Sequence, residues 1–343
     1  MLKPNYKVPA MAEIAEMPPN GYKVVSTFSG CGGTCLGFRM AGFQTVWASE
    51  FIPAAQQVYR LNHPHVPLNT KDIRDVLPED ILRESGLSRG EVDVFEGSPP
   101  CASFSSAGRR EALWGQIKKY SDTKQRTDDL FWEYARIIEG VQPKVFIGEN
   151  VEGLIRGRAK GYFKQIFARL KETGYKVNAQ VLDAQWLGVP QFRRRVIFMG
   201  VREDLDLPPV YPKPFSYQYT FRDAIQGITN HGFTKGISSS YKAQLPRMKI
   251  GKSNDKYMNM RRLSFDKPSP TILAEAGRAA PYLHPNNERR LSIPEVLRIQ
   301  SFPDDFKLSG VYDKDWERLG RSVPPLMARA IAQTIREDIL EKC

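Results

Sequence analysis

The amino-acid sequence predicts an α/β fold, a doubly wound and mostly parallel sheet accompanied by a second, smaller domain. Strand-like and helix-like patterns alternate over the first 200 residues, and this alternation is typical of a parallel sheet with helices on both faces. From about Leu207 the pattern becomes irregular, and prolines cluster at 208, 209, 212 and 214. The change indicates that a different structural unit begins there.

The strand-like stretches are short and apolar. They cover Lys23–Phe28, Gln44–Ala48, Val92–Phe95, Lys144–Ile147 and Val196–Val201. The stretches with helical periodicity cover Leu36–Ala41, Ile52–Leu61, Asp128–Glu139, Phe163–Leu170, Ile293–Gln300 and Val323–Leu340. Ligands on a doubly wound sheet bind outside the carboxyl ends of its strands, so we expect functional residues in the turns that follow these strands.

Three regions follow from these patterns. Residues 1–20 contain prolines at 4, 9, 18 and 19. We expect them to form a loosely ordered extension, and not a secretory signal, because they lack a continuous apolar stretch. Residues 21–206 together with 287–343 are expected to form the larger domain, and residues 207–286 the smaller one.

The smaller domain is strongly basic. The formal net charge of the chain is +12, and the stretch 207–280 contains twelve Lys or Arg residues against four acids. Aromatic residues are interleaved with this charge at 215, 217, 219, 221, 233, 241 and 257. A solvated basic surface would explain the charge alone, whereas basic charge mixed with aromatic residues also fits a nucleic-acid-binding face.

The four cysteines are too few to suggest a disulfide framework. Cys31 and Cys35 lie close together in the sequence, but His63 and His65 do not complete a zinc-ligand spacing, so no metal is expected. The sequence also has no apolar run of ~18–20 residues that would span a bilayer. We therefore expect a cytoplasmic protein with reduced thiols, and a reduced cysteine can act as a nucleophile.

A glycine-rich turn, Phe-Ser-Gly-Cys-Gly-Gly at 28–33, follows the first strand and opens a helix. Gly30 and Gly32 permit a close approach to the backbone. Glu50 follows after about twenty residues, a spacing that suits a carboxylate hydrogen-bonded to a ribose. The turn does not match G-x-G-x-x-G, which disfavours a nicotinamide cofactor. Together with Asp72, it favours an adenosine-containing ligand over the alternative, a tight strand–helix turn without a ligand.

A second turn, at 97–105, follows another strand and contains a cysteine after two prolines. A lone cysteine is usually a small buried apolar residue, but the prolines fix the backbone direction and would aim the Cys101 side chain. At this point the sequence resembles the DNA cytosine-5 methyltransferase family. The motifs that carry the resemblance are FSGCGG (28–33), PPCASFS (99–105), GENVEGL (148–154), QFRRR (191–195), RRLSIPEVLRIQSFPDDF (289–306) and GRSVPP (320–325).

The resemblance implies a Rossmann-like, S-adenosylmethionine-dependent methyltransferase fold and the activity of a DNA (cytosine-5-)-methyltransferase. Cys101 matches the nucleophile that adds to C6 of cytosine. Glu149 matches the glutamate that binds N3 and the 4-amino group, and Arg195 matches the arginine that contacts O2. Arg193 and Asn150 lie beside them in the same motifs, and we count them with the catalytic set.

The resemblance also implies S-adenosylmethionine as the cofactor and S-adenosylhomocysteine as the product. The positions that match the family's cofactor contacts are Phe28, Gly30, Gly32, Glu50, Phe51, Asp72, Ile73, Pro100, Leu130, Ser322 and Val323. The last two come from the final motif, so the C-terminal helix is expected to pack beside the first strand.

Double-stranded DNA is the implied partner. Residues 207–286 match the family's target recognition domain, which is expected to read one site in the major groove. The stretch Gly108–Arg126, with six basic and two acidic residues, matches the family's mobile catalytic loop, which would close over DNA while the target base is flipped out. We expect a monomer that acts either alone or beside a cognate restriction endonuclease. The target sequence stays open.

Two alternatives share much of this pattern. A tRNA cytosine-5 methyltransferase of the same family would keep the catalytic residues, but the separate basic segment favours DNA. A catalytically silent DNA-binding regulator would be expected to lose Cys101 or Glu149, and both are present. Two positions depart from the family pattern. Ala102 stands where glutamine is common, and Arg321 replaces the usual asparagine of the last motif.

Overall fold

The computed structural model describes residues 3–100, 117–155, 160–229, 231–232, 234–243, 245–254, 257–274, 282–286 and 289–343. The chain divides into two compact units. One, here called the sheet unit, comprises residues 17–182, 194–212 and 329–343. The other, here called the second unit, comprises residues 1–16, 183–193 and 213–328.

The secondary-structure elements are numbered along the chain. The strands are β1 (Lys23–Thr27), β2 (Gln44–Ser49), β3 (Leu68–Asn69), β4 (Val94–Gly97), β5 (Lys118–Tyr120), β6 (Thr123–Gln125), β7 (Val145–Val151), β8 (Tyr175–Asp183), β9 (Gln191–Phe192), β10 (Arg194–Arg202), β11 (Ser253–Asn254), β12 (Tyr257–Arg262), β13 (Ser269–Pro270) and β14 (Tyr282–Leu283). The helices are α1 (Met11–Glu16), α2 (Gly33–Met40), α3 (Pro53–Asn62), α4 (Pro78–Ser85), α5 (Leu130–Val141), α6 (Lys160–Glu172), α7 (Phe221–Ile225), α8 (Ser239–Lys242), α9 (Ile293–Ile299), α10 (Tyr312–Arg321) and α11 (Pro325–Asp338).

The sheet unit is built on a seven-stranded sheet with the order β3-β2-β1-β4-β7-β10-β8. Strands β3, β2, β1, β4 and β7 run parallel to their neighbours, and β10 is antiparallel to β7. The chain therefore leaves the centre of the sheet in both directions, and the switch point lies between β1 and β4, where doubly wound sheets bind ligands. The predicted fold class is confirmed.

The central strands are apolar because both faces of the sheet are covered. Every residue of β4 is buried, and β1 is buried from its second residue onward. The apolar side chains on one side of the sheet join a cluster that includes Val25, Phe95 and Phe146. The edge strand β8 was not predicted, because its burial alternates and its sequence, YKVNAQVLD, has no apolar run.

The first strand ends one residue earlier than predicted. Phe28 has a φ of 53°, in the left-handed region, so the extended backbone stops at Thr27. Gly30 and Gly32 follow with φ values of 58° and 88°. Left-handed backbone is open to glycine without steric cost, and these dihedrals turn the chain sharply from β1 into α2.

The second unit contains short strands and helices. Strands β11, β12 and β14 form one small sheet, and β13 pairs with β9. The bounds of this unit differ from the predicted boundary at residue 287, because residues 289–328 group with it and not with the sheet unit. Long-range hydrogen bonds explain the difference, since the Trp316 indole donates to the Leu273 carbonyl and the Leu291 amide donates to the Tyr282 carbonyl, each at 2.9 Å.

The expectation of a loosely ordered N-terminus is also wrong for residues 3–16. They contain α1, whose Ile14 side chain is buried. The Tyr6 hydroxyl donates to the Arg298 carbonyl at 2.6 Å, and the Met11 amide donates to the Asp305 carboxylate at 3.0 Å. In the part of the chain that the structure describes, no helix is long and apolar enough to cross a membrane.

Candidate active site

Glu149 and Arg195 lie side by side on neighbouring strands of the sheet unit. Register pairs Glu149 of β7 with Ile197 of β10, so Arg195 occupies the diagonal position two residues along on the same face. The Arg195 Nε atom lies 2.7 Å from Glu149 Oε1. Both side chains keep some exposure, 13% for Arg195 and 17% for Glu149. The pair therefore offers a carboxylate and a guanidinium with further N–H donors to a ligand at this point of the sheet.

Asn150, the next residue along β7, binds the turn that leads to the predicted nucleophile. Its side-chain Nδ2 atom donates to the Pro99 carbonyl at 3.0 Å, and its Oδ1 atom accepts from the Val151 amide at 2.9 Å. Pro100 is half-buried. Cys101 itself, with Ala102 and the rest of 101–116, lies outside the described residues.

The Arg193 side chain is buried in the second unit and binds its backbone. Its side chain is 1% exposed, and its Nη1 atom donates to the Gly320 carbonyl at 3.1 Å within the second unit. The guanidinium thus holds the backbone of the last predicted motif, Gly-Arg-Ser-Val at 320–323. Arg194, by contrast, is 39% exposed and pairs with Glu152 at 3.0 Å.

The two glycines predicted to approach a cofactor differ in their surroundings. A Cβ atom at Gly30 would meet nothing within 4 Å, so the space beside this residue is open. A Cβ atom at Gly32 would collide with the His63 ring and touch Tyr59. Gly30 is therefore the position where a ligand can approach the turn, whereas Gly32 makes room for a side chain of the protein.

The Glu50 carboxylate lies beside this open space and is 7% exposed. Its Oε2 atom accepts from the Gly30 amide and its Oε1 atom from the Ile52 amide, each at 2.7 Å. Each carboxylate oxygen has a second lone pair, so the group can still accept from a ligand hydroxyl. An open glycine with a fixed carboxylate beside it fits the ribose of an adenosine-containing cofactor.

Asp72 is already engaged within the sheet unit. Its Oδ1 atom accepts from the Arg74 amide at 3.0 Å, and its Oδ2 atom lies 2.8 Å from Arg74 Nη1. Arg74 in turn pairs with Asp129 at 2.7 Å. The Asp72 side chain thus caps the short 3₁₀ helix at 73–75 and is neutralised by the same arginine.

The remaining predicted cofactor positions differ in exposure. Phe28 and Phe51 are half-buried, and Phe28 packs against the main apolar cluster. Ile73 and Leu130 belong to that cluster and are almost fully buried, so each offers a ligand only a small area.

The last motif lies in the second unit. The Ser322 hydroxyl donates to the Val323 carbonyl at 3.2 Å, and both residues are buried. Arg321, the departure from the family pattern, pairs through Nε with Glu317 at 3.0 Å, one turn earlier in α10. Its guanidinium therefore forms an ion pair within α10. The C-terminal part of α11 belongs to the sheet unit, where Arg336 donates to the Ala41 carbonyl at 3.4 Å.

The predicted catalytic loop is described only from residue 117. Strands β5 and β6 form an antiparallel hairpin there, and Arg126 pairs with Asp128 at 2.9 Å. Its preceding part, 108–116, lies outside the described residues.

One buried acid, Glu96, was not among the residues predicted from the sequence. Glu96 is 2% exposed and lies in β4. Burial raises its pKa to about 8, although hydrogen bonds from Ser26 and Cys35 oppose that shift. The available sequence clue was an acidic residue inside the otherwise apolar run Val94–Gly97.

Comparison with known proteins identifies the family of this chain. The chain belongs to the C-5 cytosine-specific DNA methylase family, whose model matches residues 22–337. It is a DNA cytosine-5 methyltransferase, which places it on the DNA side of the alternatives considered above.

Two curated relatives cover nearly the whole chain. The Type II methyltransferase M.FnuDI of Fusobacterium nucleatum is 31% identical over 93% of this chain and 96% of its own length. The Type II methyltransferase M.MthTI of Methanothermobacter thermautotrophicus is 33% identical over 92% of this chain and 97% of its own length. A crystal structure of a proposed DNA modification methyltransferase from an E. coli prophage shares the fold, with a TM-score of 0.74, 21% identity and coverage of 93% of this chain and 99% of that one.

Proposed function

We propose that this enzyme transfers a methyl group from S-adenosylmethionine to C5 of a cytosine flipped out of a specific double-stranded DNA sequence, through a covalent bond between Cys101 and C6. The observation that carries the proposal is the Glu149–Arg195 pair, 2.7 Å apart on adjacent strands. Asn150 strengthens it, because it ties the same strand to the turn before Cys101.

The residues divide the chemistry between them. The Cys101 thiolate adds to C6 and forms an S–C6 bond, while N3 accepts a proton that the Glu149 carboxylate relays from solvent. The addition ends the aromaticity of the ring and makes C5 an enamine carbon. Arg195 contacts O2 and orients the base. When bound, the cofactor supplies the methyl group. Loss of the C5 proton to solvent then expels the thiolate, N3 returns its proton to Glu149, and the aromatic ring is restored.

The open turn at Gly30 and the Glu50 carboxylate would hold the adenosine part of the cofactor. Glu50 would accept from the ribose hydroxyls, and Phe28 would pack beside the ligand. The product is S-adenosylhomocysteine. These assignments rest on the open space beside Gly30 and on the backbone amides that fix both oxygens of Glu50.

Residues 207–286 would read the DNA. Four basic side chains are exposed over a short stretch of this segment, at Lys242, Arg247, Lys249 and Lys252. Such charges neutralise phosphates, so binding should weaken with salt at a slope of about −0.9 per phosphate contacted. The stretch Gly108–Arg126 would close over the DNA and help to hold the flipped base, which costs a few kcal/mol to extrude.

The pairing with a restriction system is part of the same proposal. Both curated relatives described above are named Type II methyltransferases. We propose that this enzyme protects the site of a cognate restriction endonuclease and acts on it as a monomer. Size-exclusion chromatography with light scattering should give the mass of one chain, 39.0 kDa.

Bisulfite sequencing of DNA from cells that express the enzyme tests the reaction and reads out the site. Wild type should protect one cytosine within a recurring sequence, whereas Cys101→Ser should protect none. A duplex that carries 5-fluorocytosine at that position should form an SDS-stable adduct with wild type but not with Cys101→Ser. Methylation by the Cys101→Ser protein would overturn the covalent mechanism.

A further inference from the structure

Glu96 connects the two turns on which the proposed reaction depends. It lies in the central strand β4 between β1 and β7, directly opposite Ser26 in the register. The Ser26 hydroxyl donates to Glu96 Oε1. Side chains opposite each other in adjacent parallel strands share a face, so the carboxyl lies on the same side of the sheet as this serine.

From Ser26 the contacts continue into the glycine-rich turn. The Ser26 and Ser29 hydroxyl oxygens are 2.7 Å apart. The Ser29 carbonyl accepts from the Gly32 amide at 2.9 Å, and the Ser29 amide donates to the Ser49 carbonyl at 3.0 Å. The Glu96 carboxyl therefore acts through two side chains on the backbone of the turn at 28–33.

A second route reaches the same turn through the helices. The Cys35 thiol of α2 lies 3.8 Å from Glu96 Oε1, and the Tyr59 hydroxyl of α3 donates to Cys35 at 3.4 Å. The Tyr59 ring lies 4.6 Å from the His63 ring, centroid to centroid. His63 occupies the space beside Gly32, so this second series of contacts also ends at the glycine-rich turn.

Glu96 also lies next to the residues that lead to Cys101. The Thr27 hydroxyl donates to the Glu96 carbonyl at 3.2 Å. At the next residue, Gly97, a Cβ atom would come within 2.5 Å of Thr27 Oγ1 and 2.6 Å of the Tyr134 ring. The backbone is tightly packed at this point, so a displacement of Glu96 would pass into residues 98–100.

The surroundings of Glu96 favour a neutral carboxyl. Burial raises its pKa to about 8, and the charge of Glu149 acts in the same direction. The other titratable groups that face it are neutral. Burial raises the pKa of the Cys35 thiol to about 12, and it also raises the pKa of the Tyr59 and Tyr134 hydroxyls. A buried carboxylate is costly unless a cation pairs with it. No basic side chain among the described residues pairs with Glu96, so its ionisation would disturb these contacts.

We propose that Glu96 is a positioning residue whose carboxyl fixes the cofactor turn at 28–33 relative to residues 97–100, which lead to Cys101. It touches neither the cytosine nor the methyl donor. Through Ser26 it sets the distance between the two turns, and it works as long as it stays neutral. This inference rests on the proposed function, because it assigns a cofactor to the first turn.

Calorimetric titration of S-adenosylmethionine into the full chain, from pH 7 to pH 9, tests the inference without requiring turnover. A group with a pKa of about 8 is about nine-tenths ionised at pH 9, so wild-type affinity should fall about tenfold over this range. Glu96→Gln keeps a neutral donor and acceptor, so its affinity should match wild type at pH 7 and be about tenfold higher than that of wild type at pH 9. Titration of the ligand's own amino group is common to all variants.

Ser26→Ala provides a second variant that removes only a hydroxyl. It should weaken the cofactor affinity at pH 7 about tenfold, whereas Ser85→Ala, at the end of α4, should not change it. The inference is overturned if Glu96→Gln loses affinity with pH as wild type does, or if Ser26→Ala binds as wild type does. Wild type that fails to bind S-adenosylmethionine at pH 7 would instead overturn the proposed cofactor.

Discussion

Glu149 Oε1 lies 2.7 Å from Arg195 Nε, although 46 residues separate them and their strands run in opposite directions. The antiparallel pairing of β7 and β10 is what brings them onto one face. In the proposed mechanism the Glu149 carboxyl binds N3 of the cytosine and the Arg195 guanidinium binds O2. The register of β7 and β10 therefore sets the distance between the two groups that bind the ring.

Glu149→Gln should lower kcat by about 10²–10⁴-fold, the usual cost of removing a positioned acid. The Kd for S-adenosylmethionine should stay unchanged, because Glu149 is assigned to the base. Arg195→Lys should also lower kcat, since lysine lacks the planar fork of donors. Steady-state methylation of a duplex, with Arg194→Ala as the exposed control, measures both effects. A Glu149→Gln enzyme with wild-type kcat would contradict the assignment.

The centre of the fold was predictable from the sequence, and the candidate site residues could be chosen from it, because both rest on local signals. Apolar runs marked the inner strands, and short motifs marked Glu149, Arg195 and the glycine turn. The domain division depends on contacts that no local pattern reveals. Trp316 reaches Leu273, and Arg193 reaches Gly320, across 43 and 127 residues. The role of Gly32 could not be predicted for the same reason. The space beside Gly32 is filled by the His63 ring, which lies at the C-terminal end of α3.

Gly32→Ala should destabilise the sheet unit by about 2–4 kcal/mol, because it combines a left-handed φ of 88° with a collision against His63. Gly30→Ala, with a φ of 58° and open space, should cost only about 1–2 kcal/mol. Urea unfolding measures both. The double variant Gly32→Ala/His63→Ala should recover part of the loss, and strict additivity of the two substitutions would show that the collision is not the cause.

The N-terminal segment should stabilise the second unit. Tyr6→Phe removes the hydroxyl that donates to the Arg298 carbonyl, and it should cost about 1 kcal/mol. Tyr6→Ala also removes the edge-on contact with the Tyr219 ring, at a centroid distance of 4.9 Å, and should cost about 2 kcal/mol. Lys7→Ala is the control, because that side chain is 71% exposed. Equal unfolding midpoints for Tyr6→Ala and Lys7→Ala would show that the Tyr6 side chain does not stabilise the second unit.

Acid should weaken the second unit through His284. Burial lowers the pKa of this imidazole below its usual 6.5, and its Nδ1 atom accepts from the Asn286 amide at 3.3 Å, as a neutral ring does. Its ring also packs edge-on against Phe221 and Phe265. Because the folded pKa is depressed, the stabilisation is complete above pH 6.5 and declines as the pH falls through the folded pKa.

Urea midpoints at pH 7.5, 6.0 and 5.0 should therefore decrease for wild type. His284→Phe keeps an aromatic ring but cannot bind a proton, so its midpoint should fall less over the same interval. Glu295, whose pKa is lowered by the Arg289 guanidinium against the effect of burial, would act at lower pH in both proteins. His65→Gln, at an exposed position, is the matched control. If His284→Phe loses stability with acid as steeply as wild type, the imidazole is not the group responsible.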